Sequence, residues 1–273
     1  MDPRLQLRVQ RYGWDRAAEL YDRAWSRQLE PAQALLLELA ELREGEEVVE
    51  TACGSGLVTV RIAHAVGPSG RVVATDLSEG MLNEAGRLVE RNGVENVSFF
   101  REDAGRLDLP DEAFDASICC LGLMYVPEPK KALSEMRRVL RPGGRAVSAV
   151  WGERSRCGWA EIFPIVDSRV ESEVCPLFFQ LGAADTLRRE MEEVGFSDVD
   201  TRRITTTLEY ASPEEAVVAA FAGGPVAMAY SRFDDQVRSE AHQEYLESIA
   251  DYRDGDGYRI PGEFVVTRGE RTG

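Results

Sequence analysis

Two hydrophobic periods alternate along the chain. Short apolar runs, such as Val48-Val49, Val72-Val73-Ala74 and the stretch from Phe114 to Leu121, have the character of buried strands. Between them apolar positions return every three or four residues, as one face of a helix requires. Met81, Leu82, Ala85, Leu88 and Val89 form one such face, and Ala132, Leu133, Met136, Val139 and Leu140 form another. The pattern predicts strands at 47–51, 71–75, 97–100, 114–121 and 145–151, with a helix in most of the gaps. Turn chemistry marks the joints: Gly67-Pro68-Ser69-Gly70, Asn92-Gly93 and Pro142-Gly143-Gly144. Ser78 is placed to cap one helix and Pro129 to open another.

Upstream, residues 14–29 set Trp14, Ala17, Ala18, Tyr21, Trp25 and Leu29 on one helical face. Pro31 suits the first turn of a second helix, carrying Leu35, Leu36, Leu39 and Leu42 and ending at Gly45. Downstream of Trp151 the periodicity loosens, and residues 152–183 hold several aromatics without a clear period. A helix is predicted over 185–194, a strand over 199–208, a helix from Ser212-Pro213-Glu214-Glu215, another over 234–250, and a last strand over 263–267. Repeated strand–helix–strand units imply an α/β fold with a doubly wound, mostly parallel sheet.

The strand at 47–51 runs into Thr51-Ala52-Cys53-Gly54-Ser55-Gly56 and then a helix. Glycines at such a turn let a ligand approach the backbone, and open parallel sheets bind nucleotide-like ligands at this edge. Asp76 follows Gly56 by 20 residues, at the end of the next strand, where a carboxylate can accept from both hydroxyls of a ribose. Leu77 and Met81 are placed to cover an adenine face. Asp103, beside the Ala104 amide, is placed to accept from an adenine amino group. Thr59 stands where a dinucleotide fingerprint requires a third glycine, which disfavours a nicotinamide oxidoreductase, and no phosphate-binding Gly-Lys-Ser/Thr loop occurs.

With these pieces in place the chain resembles a class I S-adenosylmethionine-dependent methyltransferase of the small-molecule, ubiquinone/menaquinone-biosynthesis-like type. The matching segments are VVETACGSG, VVATDLSEGML, FREDAGRLDLPDEAFD and LGLMYVPEPKKALSEMRRVLRPGG. The resemblance covers about residues 30–150 strongly and 185–208 weakly. It implies S-adenosyl-L-methionine as cofactor and S-adenosyl-L-homocysteine as product. It implies a Rossmann-like seven-stranded sheet with an antiparallel last strand. Glu50 would lie near the cofactor's methionine portion, where the family often has aspartate, and the Ala52, Cys53 and Gly54 backbone would face its amino-acid part. Gly56 and Cys120 join the expected cofactor set. Tyr21 is the candidate aromatic closing over the cofactor from the N-terminal helix, and Trp25 and Trp151 are candidates for the acceptor site.

One methyltransferase domain over residues 1–273 is therefore expected. It would comprise an N-terminal lid helix (1–30), a cofactor-binding core (31–151), and acceptor-pocket insertions with the last strands (152–273). The expected reaction moves a methyl group to a small, partly apolar metabolite. Two other readings stay open: a non-catalytic cofactor-binding sensor or scaffold, and a thiol- or arsenic-directed methyltransferase using Cys157 and Cys175.

A formal charge of −16 opposes binding to nucleic acid or anionic lipid. Lysine occurs only at Lys130 and Lys131. Neither a membrane span nor a signal-peptide pattern is visible, so a cytoplasmic monomer or homodimer is expected. Five cysteines without a CxxC pair read as free thiols with no metal site. His64 and His242 lie away from the strand ends and are read as surface or packing residues, leaving no catalytic base assigned.

Overall fold

Parallel strands buried on both faces need apolar side chains pointing both ways, and the sequence supplies them in alternation. In the computed structural model, which describes residues 3–171, 175 and 177–273, that alternation sorts the core into two layers. Val48, Val72, Ile118 and Val147 pack on one face of the sheet. Their neighbours Val49, Val73, Cys119 and Ala146 pack on the other.

The chain begins with α1 (Pro3–Ala40), then β1 (Glu47–Thr51), α2 (Leu57–Val66), β2 (Arg71–Asp76), α3 (Glu79–Arg91), β3 (Val97–Arg101), β4 (Phe114–Cys120), α4 (Pro129–Val139) and β5 (Leu140–Trp151). Next come α5 (Ile162–Asp167), α6 (Thr186–Glu193), β6 (Ser197–Tyr210), α7 (Pro213–Val217), α8 (Ala227–Tyr230) and α9 (Asp235–Ser248). The two-residue β7 (Arg253–Asp254) and the long β8 (Gly257–Glu270) complete it. The sheet order is β3-β2-β1-β4-β5-β8-β6, with β7 pairing on β8. Strands β1 to β5 pair in parallel, and β8 runs antiparallel to both β5 and β6. This is the α/β, doubly wound, Rossmann-like sheet expected. The antiparallel strand expected at 263–267 is present as part of β8, and the short β7 hairpin adds an eighth strand to the seven.

Two expectations need correction. The predicted pair of N-terminal helices is one 38-residue helix with Pro31 inside it, ending at Ala40 rather than Gly45. A proline inside a helix loses the bond to the carbonyl four residues back. Burial on both sides of Pro31, at Leu29 and Ala32, holds the helix across that gap. The division at residue 30 therefore falls within a single element. Second, β5 starts at Leu140, so Pro142-Gly143-Gly144 is an irregularity of its pairing with β4 rather than a turn before it.

α1 is anchored in two ways. Its C-terminal half buries Leu36 and Leu39 against Val58, Ile62 and Val66 of α2. Its last carbonyls are held by Arg145, whose guanidinium bonds Ala40 O and Glu41 O and pairs with Glu46 at 2.7 Å. The N-terminal half lies over the C-terminal edge of the sheet.

Candidate functional site

β1 and β4 are neighbours in the sheet, but the chain leaves β1 towards β2 on one side and reaches β5 from β4 on the other. The loops after these strands therefore diverge, opening a crevice at their C-terminal ends. α1 roofs it. The result is a cavity of about 920 Å³, counting the space at its mouth. It is lined by the β1–α2 turn, the ends of β2, β3 and β4, and one face of α1.

The turn takes its shape from residues in left-handed backbone conformations: Ala52 at φ 54°, Gly54 at φ 56° and Gly56 at φ 86°. At Gly54 a Cβ would meet nothing within 4 Å, so that position is open to the cavity. Asp76 ties the turn to the second strand. Its Oδ2 accepts from Gly54 N at 2.9 Å and its Oδ1 from Ser78 N at 2.8 Å. Each oxygen retains a second lone pair for a hydroxyl. Burial raises the Asp76 carboxyl to about 6 despite these bonds.

Glu50 lies deeper, 1% exposed at the end of β1. Its Oε2 accepts from the Thr59 hydroxyl at 2.5 Å, and its other oxygen has no hydrogen bond among the described residues. Burial pushes its carboxyl up to about 8, and the nearby Asp76 adds to the shift. Burial likewise raises the Cys53 and Cys120 thiols and the Tyr21 and Tyr125 phenols, so these four groups stay protonated. At the far end Asp103 Oδ1 accepts from Gly105 N at 2.9 Å.

Of the residues singled out for a cofactor, Tyr21, Glu50, Ala52, Cys53, Gly54, Asp76, Leu77, Met81, Asp103, Ala104 and Cys120 all line the cavity. Gly56 does not. A Cβ there would stand 3.0 Å from both Cα and Cβ of Ala85, so it lets α2 and α3 pack closely. Trp25 and Trp151 also lie outside the main cavity. They wall a smaller chamber of about 290 Å³ that shares Trp14, Tyr21, Leu29, Leu121 and Tyr125 with it. Trp159, Phe178 and Pro225 complete that chamber from the insertions.

Leu121 and Gly122, which follow Cys120 at the end of β4, line the cavity as well, whereas sequence reasoning missed Gln10, Gln33 and Tyr125. It also missed two carboxylates that fasten the roof. Asp15 accepts from Ser78 Oγ at 2.6 Å and Gly80 N at 3.0 Å, and Asp22 accepts from Ser55 Oγ. Their spacing of seven residues on one helical face was the available signal. Cys157 and Cys175 line neither space, and among the described residues no cluster suits a metal ion. His64 is exposed on α2, and His242 bonds the Tyr230 hydroxyl at 3.0 Å, away from the crevice.

Residues 48–144, which build the floor of this crevice, match the family model described as "Methyltransferase domain". Over this stretch the chain is similar to a methyltransferase domain. The domain is 41% identical over 110 residues to the ubiquinone/menaquinone biosynthesis C-methyltransferase UbiE of Pseudomonas fluorescens (strain Pf0-1), covering 40% of this chain and 43% of that protein. It is 33% identical over 122 residues to the demethylmenaquinone methyltransferase of Geobacillus stearothermophilus, covering 45% and 52%. The alignments thus span about half, or less, of these curated relatives. Among solved structures, phosphoethanolamine N-methyltransferase 2 of Haemonchus contortus, in complex with S-adenosyl-L-methionine, superposes with a TM-score of 0.58 at 15% identity. That match covers 89% of this chain and 53% of the other. The [4+2]-cyclase SpnF superposes with a TM-score of 0.60 at 20% identity, covering 92% and 83%. At these identities the likeness speaks for the fold of the methyltransferase domain. Among the described residues no helix is long and apolar enough to cross a membrane.

Proposed function

We propose that this protein binds S-adenosyl-L-methionine in the main cavity and transfers its methyl group to a small, partly apolar acceptor. The observation that carries the reading is the polar series along the cavity floor. Glu50 offers a buried oxygen suited to an ammonium, Asp76 suits a ribose, and Asp103 suits an adenine amino group. The open face at Gly54 leaves room for a ligand against the turn. When bound, the cofactor supplies an electrophilic methyl group on a sulfonium.

The chain's own contribution is positional. Tyr21 and Trp14 on α1 and Tyr125 after β4 stand where the main cavity meets the aromatic chamber. Trp14 packs edge-on against both tyrosines, at 5.7 Å and 5.0 Å. These rings exclude water from the junction and limit the approach of an acceptor to the chamber side. Burial holds their phenols protonated, which leaves them as hydrogen-bond donors and disfavours a role as bases.

Isothermal calorimetry tests the binding half of this reading. Asp76→Ala should weaken binding of S-adenosyl-L-homocysteine about 100-fold, the loss of two charge-assisted hydrogen bonds. Unchanged affinity sinks the ribose assignment. Transfer of a labelled methyl group to a member of a neutral, ring-containing metabolite panel tests the catalytic half. A second reading has its own support: SpnF shows that this fold also serves a [4+2]-cyclase. Cofactor binding with no label transferred across a broad panel would favour such a role here.

A further inference from the structure

Two buried hydrogen-bond donors in the aromatic chamber have no acceptor. Trp25 and Trp159 are 5% and 3% exposed, and the indole Nε1 of each lacks a hydrogen-bond partner among the described residues. An indole N–H can only donate, and buried ones usually find an acceptor. Both rings wall the same chamber, with centroids 5.9 Å apart. The rings packed on Trp159, those of Trp25, Trp151, Phe163, Phe178 and Phe179, carry no oxygen. Trp25 Nε1 lies against the Gly224–Pro225 wall. A Cβ on Gly224 would stand 3.7 Å from it, and Pro225 lines the chamber.

These donors narrow the choice of occupant. No charged side chain lines the chamber among the described residues. A carboxylate would therefore be buried there without a counter-charge, which is costly. An ammonium would suit the ring faces but cannot accept from an N–H, so both donors would stay unpaired. A hydrocarbon leaves them unpaired as well. An uncharged carbonyl oxygen has two lone pairs and can take one bond from each indole. The aromatic walls favour a flat ring as the body that carries it.

We propose that the chamber binds an uncharged aryl carbonyl compound whose oxygen accepts from the Nε1–H groups of Trp25 and Trp159. The two tryptophans are then specificity-determining residues. The assignment rests on the methyltransferase reading above and names its acceptor class: the carbonyl oxygen is the group by which the acceptor is held.

Nitrogen–proton correlation spectra of the indoles test it on the whole protein with S-adenosyl-L-homocysteine present. The four tryptophans give four indole signals, assigned with single Trp→Phe variants. Acetophenone is the carbonyl probe, and α-methylstyrene keeps its shape with a methylene in place of the oxygen. Acetophenone should move the Trp25 and Trp159 indole protons downfield saturably, and α-methylstyrene should not. Trp25→Phe and Trp159→Phe should each weaken acetophenone about tenfold and change α-methylstyrene by less than about twofold. Equal responses to the two probes, tighter binding of phenyltrimethylammonium or benzoate, or unmoved indole signals overturn the assignment. The wild-type spectra decide this even where a variant fails to fold. Calorimetry with S-adenosyl-L-homocysteine separates the two readings. A wild type that binds it but fails the probe tests overturns this assignment alone. One that does not bind it overturns the cofactor reading, and the acceptor role of the chamber with it.

Discussion

A carboxyl buried at the floor of a cavity responds to both pH and ligand, and Glu50 shows how. Burial raises it to about 8, so near neutral pH it is mostly protonated in the free protein, while in the unfolded chain it is ionised. The folded state then holds the extra proton between the ordinary carboxyl range and about 8, and stability falls as pH rises through that window. Glu50→Gln removes this dependence. Its melting temperature should exceed that of wild type by more at pH 8 than at pH 5, and an equal difference at both would show that the carboxyl is not buried as described. An incoming ammonium reverses the preference and drives the proton off. Cofactor binding at pH 7 should release a proton, seen as a calorimetric heat that varies with the ionisation enthalpy of the buffer. A buffer-independent heat would count against the ammonium contact.

Among the elements, α1 joins core and site. Its C-terminal half depends on the pair of Arg145 and Glu46, with side chains only 10% and 15% exposed. Arg145→Ala would strand the Glu46 carboxylate and the carbonyls at the helix end, with an expected loss of about 3–5 kcal/mol in chemical denaturation. The N-terminal half is held more lightly. Replacing Asp15 and Asp22 together by alanine should speed hydrogen exchange over residues 5–25 while leaving β1 and β4 protected. Uniform acceleration would mean that the helix is not a separable roof.

The strands of the core were legible in sequence because central parallel strands must be apolar, and Asp76 and Asp103 stood out as carboxylates at their ends. The continuity of α1 was not legible. Local chemistry at Pro31 favours a helix start, and only burial of Leu29 and Ala32 by distant residues overrides it. The aromatic chamber was hidden for a related reason: Trp159 and Phe178 come from segments without a period, and Trp25 reads equally well as helix core.

Across the whole molecule, surface charge works against the compact state that the core favours. A net charge of −16 on 273 residues places like charges in mutual repulsion over the surface. The many exposed pairs, such as Lys130–Glu193 and Arg202–Glu38, offset only part of it. Added sodium chloride screens the repulsion, so the melting temperature should rise between about 0.05 M and 0.5 M salt. A fall over that range would show that the ion pairs outweigh the repulsion. The order of strands in the sheet also bears on how the chain is made. β8 follows β6 in the sequence but lies between β5 and β6. While the ribosome is still adding residues before Gly257, both β5 and β6 expose unpaired edges, and the tryptophan cluster around Trp151 lacks Phe264, whose ring lies tilted against Trp151 at 4.1 Å between centroids. The nascent protein passes through a stage with two open strand edges beside a bare aromatic surface, the period in which chaperone protection matters most.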